Sequence, residues 1–313
     1  MPIYNDGYLA EDFCKEFESV FKAVFETEEL WQYAEIVFVN DGSSDDSFGQ
    51  LRALCQRYPF VGAIDLSRNF GQHVAVSCGY RHARGQYVGV LNVDMEDHPS
   101  QLAVLLEALK SNDADFSGGR YRRRKRKVVS AITSKAFSGL LNLFTGYSVP
   151  LDMATARVVT RRFVDAYNQL TEKSRYIPGL EAWLGFRRVW TTVEHRPRSR
   201  GRSSYNFRRR LVLAVDSIIS FSDLPLKLAV LFGASVAALG FLMTATLIIG
   251  KHIFKNFQVG FTSTISTIVL MGGVQIMVIG VASLYIGRIL REVQDRPLYV
   301  VRETIMNREQ PGK

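Results

Sequence analysis

The stretch Tyr87-Val88-Gly89-Val90-Leu91-Asn92-Val93-Asp94-Met95-Glu96-Asp97 decides how this chain reads, together with Ile36-Val37-Phe38-Val39-Asn40-Asp41-Gly42-Ser43-Ser44-Asp45. Each is an apolar run that stops abruptly at amide and acidic side chains. Strands buried on both faces of a parallel sheet read as continuous apolar runs, and their carboxyl ends deliver polar groups to a cleft at the sheet edge. Oxygen donors without Cys or His suit a hard cation, Mg²⁺ or Mn²⁺, of the kind shared with a diphosphate. These segments point to a nucleotide-linked donor substrate.

Outward from them, helical and strand patterns alternate. Residues 12–29 place Phe13, Phe17, Val20, Phe21 and Val24 at helical spacing. Strands are expected at 36–39, 61–66, 87–93 and 114–117, with helices over 48–57, 72–83 and 99–111. Such alternation implies an α/β domain with a mainly parallel sheet. Met1-Pro2-Ile3-Tyr4-Asn5-Asp6 reads as the loop that follows a first strand, so that strand is expected to be missing or truncated.

At 313 residues and 47% hydrophobic content the chain holds one sizeable soluble domain and something more. The ranges 228–250 and 256–287 contain no charged residue, and each exceeds the roughly 20 apolar residues that cross a bilayer. Two C-terminal transmembrane helices are expected. Arg208, Arg209, Arg210 and Lys227 precede the first and Arg288, Arg291 and Arg296 follow the second, while the connection holds only Lys251, His252 and Lys255. That bias leads to the expectation that the α/β domain and both termini lie on the cytoplasmic side of a cell (plasma) membrane. Cys14, Cys55 and Cys78 have no metal spacing and leave an odd thiol over, which fits buried thiols in a reducing compartment. Small residues Gly233, Ala237 and Gly240 on the first span permit close helix packing and with it a homo-oligomer.

The net charge of +9 is densest at Arg120-Tyr121-Arg122-Arg123-Arg124-Lys125-Arg126-Lys127. The run suits an anionic leaflet or lipid phosphate, or a solvated loop. No nucleic-acid motif accompanies it, so nucleic acid is not the expected partner. Residues 128–147 carry Phe137, Leu140, Leu141, Leu143 and Phe144 on roughly one side, as an interfacial helix or a core helix would. The expected division is an α/β core over 1–120, a region with interfacial helices and a basic loop over 121–226, the spans over 227–287 and a cytoplasmic tail over 288–313; by the resemblance described next, the first is the nucleotide-sugar-binding core and the second the acceptor side.

Six motifs in order carry a resemblance: Pro2-Ile3-Tyr4-Asn5-Asp6, Val39-Asn40-Asp41-Gly42-Ser43, Ser67-Arg68-Asn69-Phe70-Gly71, Asn92 to Asp97, Gly201-Arg202-Ser203-Ser204-Tyr205 and Ser220-Phe221-Ser222-Asp223-Leu224-Pro225-Leu226. Together they resemble the family 2 glycosyltransferases, and within them the polyprenyl-phosphate glycosyltransferases of the bactoprenol glucosyltransferase and dolichol-phosphate mannose synthase kind. The resemblance implies a GT-A, Rossmann-like fold and transfer of a sugar, with inversion, from a nucleotide diphosphate sugar, leaning to UDP, to the phosphate of a membrane polyprenol. It implies that Asp6 and Asp41 contact the nucleoside, that Pro2 and Tyr4 shape its pocket, and that Arg68 and Asn92 also serve the nucleotide sugar. The metal, Mg²⁺ or Mn²⁺, would be held at Asn92, Asp94 and Glu96. A loop bearing Arg198 and Arg202 would close over the diphosphate.

The chain departs from the family pattern at three points. Asn92 stands where aspartate is usual and Glu96 where glutamine is frequent, which makes Asp94 the chief expected ligand and Glu96 the compensating one, unless Glu96 only caps the next helix. Alternate residues of an extended segment point the same way, so Asn92, Asp94 and Glu96 are expected to converge on one ion. Thr155 takes the place of an aspartate that could serve as base for a hydroxyl acceptor, while Arg157 is kept. A phosphate monoester, with a second pKa of about 6, needs no such base. Asp152 is a substitute base or a plain loop residue. Ser204 replaces a lysine, with Arg198 and Arg202 supplying charge nearby. Arg157, Arg122 and Arg123 are the expected holders of the acceptor phosphate. Two other readings stand beside this one: a membrane-tethered transferase whose acceptor is a glycan hydroxyl, and a catalytically weak nucleotide-sugar-binding membrane protein.

Overall fold

The computed structural model describes residues 1–24, 34–121, 152–194, 224–253 and 260–306. Two compact units emerge, one comprising residues 1–206 and 297–313, the other 207–296.

The first unit is an α/β domain. Its strands and helices run β1 (Pro2–Ile3), α1 (Ala10–Val24), β2 (Ile36–Asn40), α2 (Ser47–Arg57), β3 (Val61–Leu66), α3 (Gln72–His82), β4 (Tyr87–Val90), α4 (Ser100–Ser111), β5 (Phe116–Tyr121), β6 (Met153–Thr160), α5 (Arg161–Asn168), α6 (Ile177–Trp183), β7 (Arg188–Val193) and, after the second unit, β8 (Val301–Ile305). The strands form two four-stranded sheets, ordered β1-β2-β3-β8 and β4-β6-β5-β7.

Every residue of β2 and β3 is buried, the apolar ones as a strand covered on both faces requires and the polar Asn40 and Asp65 paired with each other at 2.7 Å. The two-residue strand period sends Ile36 and Phe38 into one apolar cluster with α1, α2 and α4, and Val37 and Val39 into another with Ala75 and Cys78 of α3. On α1, Phe13, Phe17 and Phe21 fall four residues apart and stack in series, with centroids 6.2 and 4.3 Å apart. All three cysteines are free and buried, and burial pushes the thiols up to about 12 for Cys14 and about 11 for Cys55 and Cys78.

Several expectations are corrected here. The sheet is mixed rather than mainly parallel: β1, β2 and β3 run parallel, as do β5 and β7, but β8 is antiparallel to β3 and β6 is antiparallel to both β4 and β5. Pro2–Ile3, taken for a loop, is itself a strand on Val39 and Asn40 of β2. A boundary at residue 120 would cut through the second sheet, where Phe116–Tyr121 pair with Arg188–Val193. Residues 301–305, assigned to a tail, are an edge strand whose Arg302 reaches Asp65 at 3.1 Å. The expected helices at 128–147 and 211–221 lie outside the described residues.

The second unit contains α7 (Leu224–Ile253) and α8 (Phe261–Val293), helices of 30 and 33 residues. They pack on each other, a Cβ at Gly233 coming 4.0 Å from Val278 Cγ2. Large apolar side chains such as Leu231, Leu239, Phe241, Leu270, Ile276 and Ile286 are exposed. Among the described residues one stretch, Leu270–Val293, is long and apolar enough to cross a membrane, and Leu226–Leu242 is a shorter apolar stretch.

Candidate active site

Four loops at the carboxyl ends of β1 to β4 are tied to one another by side chains. Asn5, at φ +57°, donates its N–H to Ser43 Oγ at 2.9 Å, and its Oδ1 accepts from the Ser44 N–H at 2.9 Å. Asn and Asp tolerate this left-handed conformation better than other side chains, which lets the chain turn sharply as β1 ends. Asn40, buried at the end of β2, donates to Asp65 Oδ1 at 2.7 Å and accepts from Ser43 Oγ.

Asp41 clamps the next loop. Its Oδ1 accepts from the Phe70 N–H at 2.7 Å and its Oδ2 from the Gly71 N–H at 2.9 Å. Burial pushes its pKa up, opposed by these two amide bonds and by Arg68. Gly42, at φ +62°, lies so close to the 68–69 backbone that a Cβ would come within 2.2 Å of the Arg68 carbonyl carbon. Only glycine satisfies both demands. Arg68 is exposed and lies 4.1 Å over the Phe70 ring. Tyr4 is exposed, whereas Pro2 and Asp6 are half-buried.

The segment after β4 is a turn. The strand ends at Val90, and Met95 adopts φ +59° between Asp94 and Glu96. The expectation of three alternating side chains on an extended segment is therefore corrected, because a left-handed residue breaks the two-residue period. Asn92 accepts from Gln72 Nε2 at 3.1 Å and donates to Thr155 Oγ1 at 3.3 Å. Asp94 is buried at 9% exposure, and its Oδ1 accepts from the Glu96 N–H at 3.3 Å. Helix α4 starts at Ser100, with Pro99 at its N-cap and no acidic residue in its first turn.

Among the described residues no group of three or more His, Cys, Asp or Glu side chains forms a protein-only metal cage. The donors at hand, Asp94 and Glu96 with an amide at Asn92, nevertheless fit a cation that takes one or two carboxylates from the protein and the rest of its shell from substrate phosphates and water. Asn92 Oδ1 is already engaged with Gln72, which leaves the two carboxylates as the better donors.

Sequence reasoning missed Asp97, though it closes the motif that opened the reading. Asp97 is 1% exposed and accepts from Tyr121 Oη at 2.8 Å and the Ala156 N–H at 3.0 Å, fixing the acidic turn to β5 and β6. Burial pushes its pKa up against those hydrogen bonds. The Tyr121 hydroxyl is raised by burial and by Asp97, so it stays a donor.

Arg157 is corrected as a free phosphate clamp. It is 6% exposed, and its Nε lies 2.8 Å from Glu181 Oε1 and 3.2 Å from the Tyr80 hydroxyl, which itself donates to Glu181 at 2.9 Å. Burial works against its charge, but the Glu181 carboxylate together with Tyr80 and Tyr167 offsets this and keeps the guanidinium protonated. His73 is held neutral, burial and then Arg157 lowering its pKa to about 4. His98 bridges Glu16 and Ser100 at 2.7 and 2.8 Å. Arg122, Arg123, Arg198 and Arg202 lie outside the described residues. Asp152 is described at the start of β6, where its carbonyl accepts from the Tyr121 N–H at 2.8 Å.

Comparison with known proteins identifies the family. The Glycosyl transferase family 2 model matches residues 1–167. The uncharacterized glycosyltransferase YkcC of Bacillus subtilis (strain 168) is 31% identical over 304 residues, covering 97% of this chain and 92% of that protein. The SfII prophage-derived bactoprenol glucosyl transferase of Shigella flexneri is 32% identical over 305 residues, covering 97% and 96%. Among solved structures, the mannosyltransferase PcManGT from Pyrobaculum calidifontis, in complex with GDP-Man and Mn²⁺, aligns at a TM-score of 0.47 and 14% identity over 95% of this chain and 86% of that one. The family model and these relatives show that this α/β domain of mixed sheets is a glycosyltransferase, and the chain belongs to glycosyl transferase family 2.

Proposed function

We propose that this enzyme moves a sugar, with inversion, from a UDP-linked or similar nucleotide donor to the phosphate of a polyprenol such as undecaprenyl phosphate, at the cytoplasmic face of a membrane. The observation that carries the reading is the likeness to bactoprenol glucosyl transferases over nearly the whole of both chains, apolar C-terminal helices included. Two spans over 227–287 are part of the proposal, with the exposed apolar side chains of α7 and α8 against lipid.

In the reaction the bond from the anomeric carbon to the donor diphosphate breaks as an acceptor phosphate oxygen bonds to that carbon from the opposite side. The acceptor phosphate is ionised near neutral pH and needs positioning more than deprotonation. Thr155 in place of a carboxylate suits that acceptor better than a glycan hydroxyl, which would need a base. Asp6 and Asp41, beside Pro2, Tyr4 and Arg68, are proposed to take the nucleoside end, Asp41 also fixing the 70–71 amides. Asp94 and Glu96 would hold a Mg²⁺ or Mn²⁺ that offsets diphosphate charge when bound. Arg122, Arg123, Arg198 and Arg202 are proposed to complete the phosphate contacts.

The acceptor is tested by product chemistry. A sugar joined to a lipid phosphate through its anomeric carbon is released by mild acid, whereas an ordinary glycoside is not. Label incorporated into lipid and released by mild acid supports the proposal, and acid-stable label shifts the reading to a hydroxyl acceptor.

A further inference from the structure

Strand β8 joins the edge of the first sheet with one irregularity. It pairs antiparallel with β3, Asp65 opposite Glu303 and Leu66 opposite Val301, so Arg302 has no partner across the ladder. An extra residue of this kind is a β-bulge, which bends its strand and re-aims the side chain it carries. The Arg302 guanidinium donates from Nη1 to Asp65 Oδ2 at 3.1 Å and from Nη2 to the Ser67 carbonyl at 2.8 Å. Ser67 is held from its other side as well, its N–H donating to the Val300 carbonyl at 2.9 Å.

Both acceptors lead into the candidate site. Ser67 opens the loop that carries Arg68 and runs to the Phe70 and Gly71 amides bound by Asp41. Asp65, whose side chain is 3% exposed, divides its carboxylate: Oδ2 faces Arg302, and Oδ1 accepts from Asn40 Nδ2 at 2.7 Å. That bond fixes which end of the Asn40 amide points where, leaving its Oδ1 to accept from Ser43 Oγ. Ser43 Oγ in turn accepts from the Asn5 N–H at 2.9 Å. A continuous relay thus runs from Arg302 through Asp65, Asn40 and Ser43 to Asn5, and the next residues in the chain after Asn40 and Asn5 are Asp41 and Asp6.

We propose that Arg302 is a positioning residue for the nucleotide end of the donor: by holding Asp65 and Ser67 it sets the spacing of the loops that bear Asp6, Asp41 and Arg68. It acts through these residues and not by contact with the substrate. An ion pair of an arginine whose side chain is 61% exposed ordinarily counts for little. Here the partner is a buried carboxylate, which is costly without a cation and hydrogen bonds, so removing Arg302 strands a charge at the head of the relay. Arg52 of α2 provides the contrast. It reaches Glu303 of the same strand at 2.6 Å, but both side chains are exposed and the relay does not pass through them. The inference rests on the proposed assignment of the nucleoside to these loops and is independent of the acceptor.

The test measures Tm and the Kd for UDP and for GDP, with Mn²⁺, on the full chain in detergent and on Arg302→Met, Arg302→Lys and Arg52→Met. Arg302→Met is expected to raise the Kd of whichever nucleotide the native chain binds about tenfold. Arg302→Lys should raise it about threefold, since an ammonium keeps the charge but lacks the planar fork that spans two acceptors. The lysine variant decides the matter where the methionine one does not fold. Arg52→Met should bind as the native chain does, even where its Tm falls as far as that of Arg302→Lys. A native Kd in the Arg302 variants, or equal weakening in Arg52→Met, overturns the proposal and leaves the nucleoside assignment standing. Binding of neither nucleotide by the native chain overturns both.

Discussion

Asn92 and Thr155 are hydrogen-bonded to each other, Nδ2 to Oγ1 at 3.3 Å. These are the two places where the chain has an amide and a hydroxyl in positions at which the resemblance to the family leads to the expectation of aspartates. The departures therefore meet at one point, where two carboxylates would have faced each other across a hydrogen-bond distance and a neutral pair now sits.

Asn92→Asp restores a carboxylate that can still accept from Gln72 and from the Thr155 hydroxyl. A third acidic donor beside Asp94 and Glu96 is expected to lower the Mn²⁺ concentration for half-maximal transfer about tenfold, equivalent to about 1.4 kcal/mol. Metal titration of the initial rate checks this.

Asp97 serves as an anchor for the acidic turn. Asp97→Ala leaves the Tyr121 hydroxyl and the Ala156 amide without their acceptor, and hydrogen bonds to a buried charge are worth about 1.5–3 kcal/mol each. A drop in Tm together with a fall in kcat is expected, and Asp97→Asn should recover part of the Tm.

The buried pair of Arg157 and Glu181 predicts strong non-additivity. Removing one partner strands the other charge at a cost of about 3–5 kcal/mol, whereas an apolar pair in their place is close to neutral. Arg157→Met and Glu181→Leu alone should each melt far lower than the double variant. Thermal melts of the three proteins measure the coupling.

The strand ends were legible because β2 and β4 announce themselves as apolar runs that stop at polar residues, and those stops are where the loops of the site gather. What the sequence hid is longer in range. Nothing local marks Arg157 as the partner of Glu181, since 24 residues and a sheet edge separate them and a lone arginine reads equally well as a surface clamp. Nor does the run from Asn92 to Asp97 reveal the left-handed Met95 that turns an extended ligand array into a loop. Strand β8 was hidden for another reason: five residues beyond two apolar helices have too little pattern to distinguish an edge strand from a tail.

His73 makes the stability depend on pH. Its pKa is lowered from 6.5 to about 4 in the folded protein, so the unfolded chain binds the extra proton in that window. The stabilisation is fully present above 6.5 and is lost as pH falls toward 4, to a limit of about 3 kcal/mol. Melting between pH 7.5 and 4.5 should drop more for the native protein than for His73→Gln.

The most direct measurement of the central claim supplies membranes containing this protein with undecaprenyl phosphate, a labelled nucleotide sugar and Mn²⁺, and follows label into the lipid extract for the native chain and for Asp94→Asn. The account predicts lipid-linked label with at least one donor and a loss of about 100-fold or more in the Asp94 variant, the scale of removing one group that supports the developing charge. Lipid-linked label from no donor, or full activity in Asp94→Asn, would contradict it.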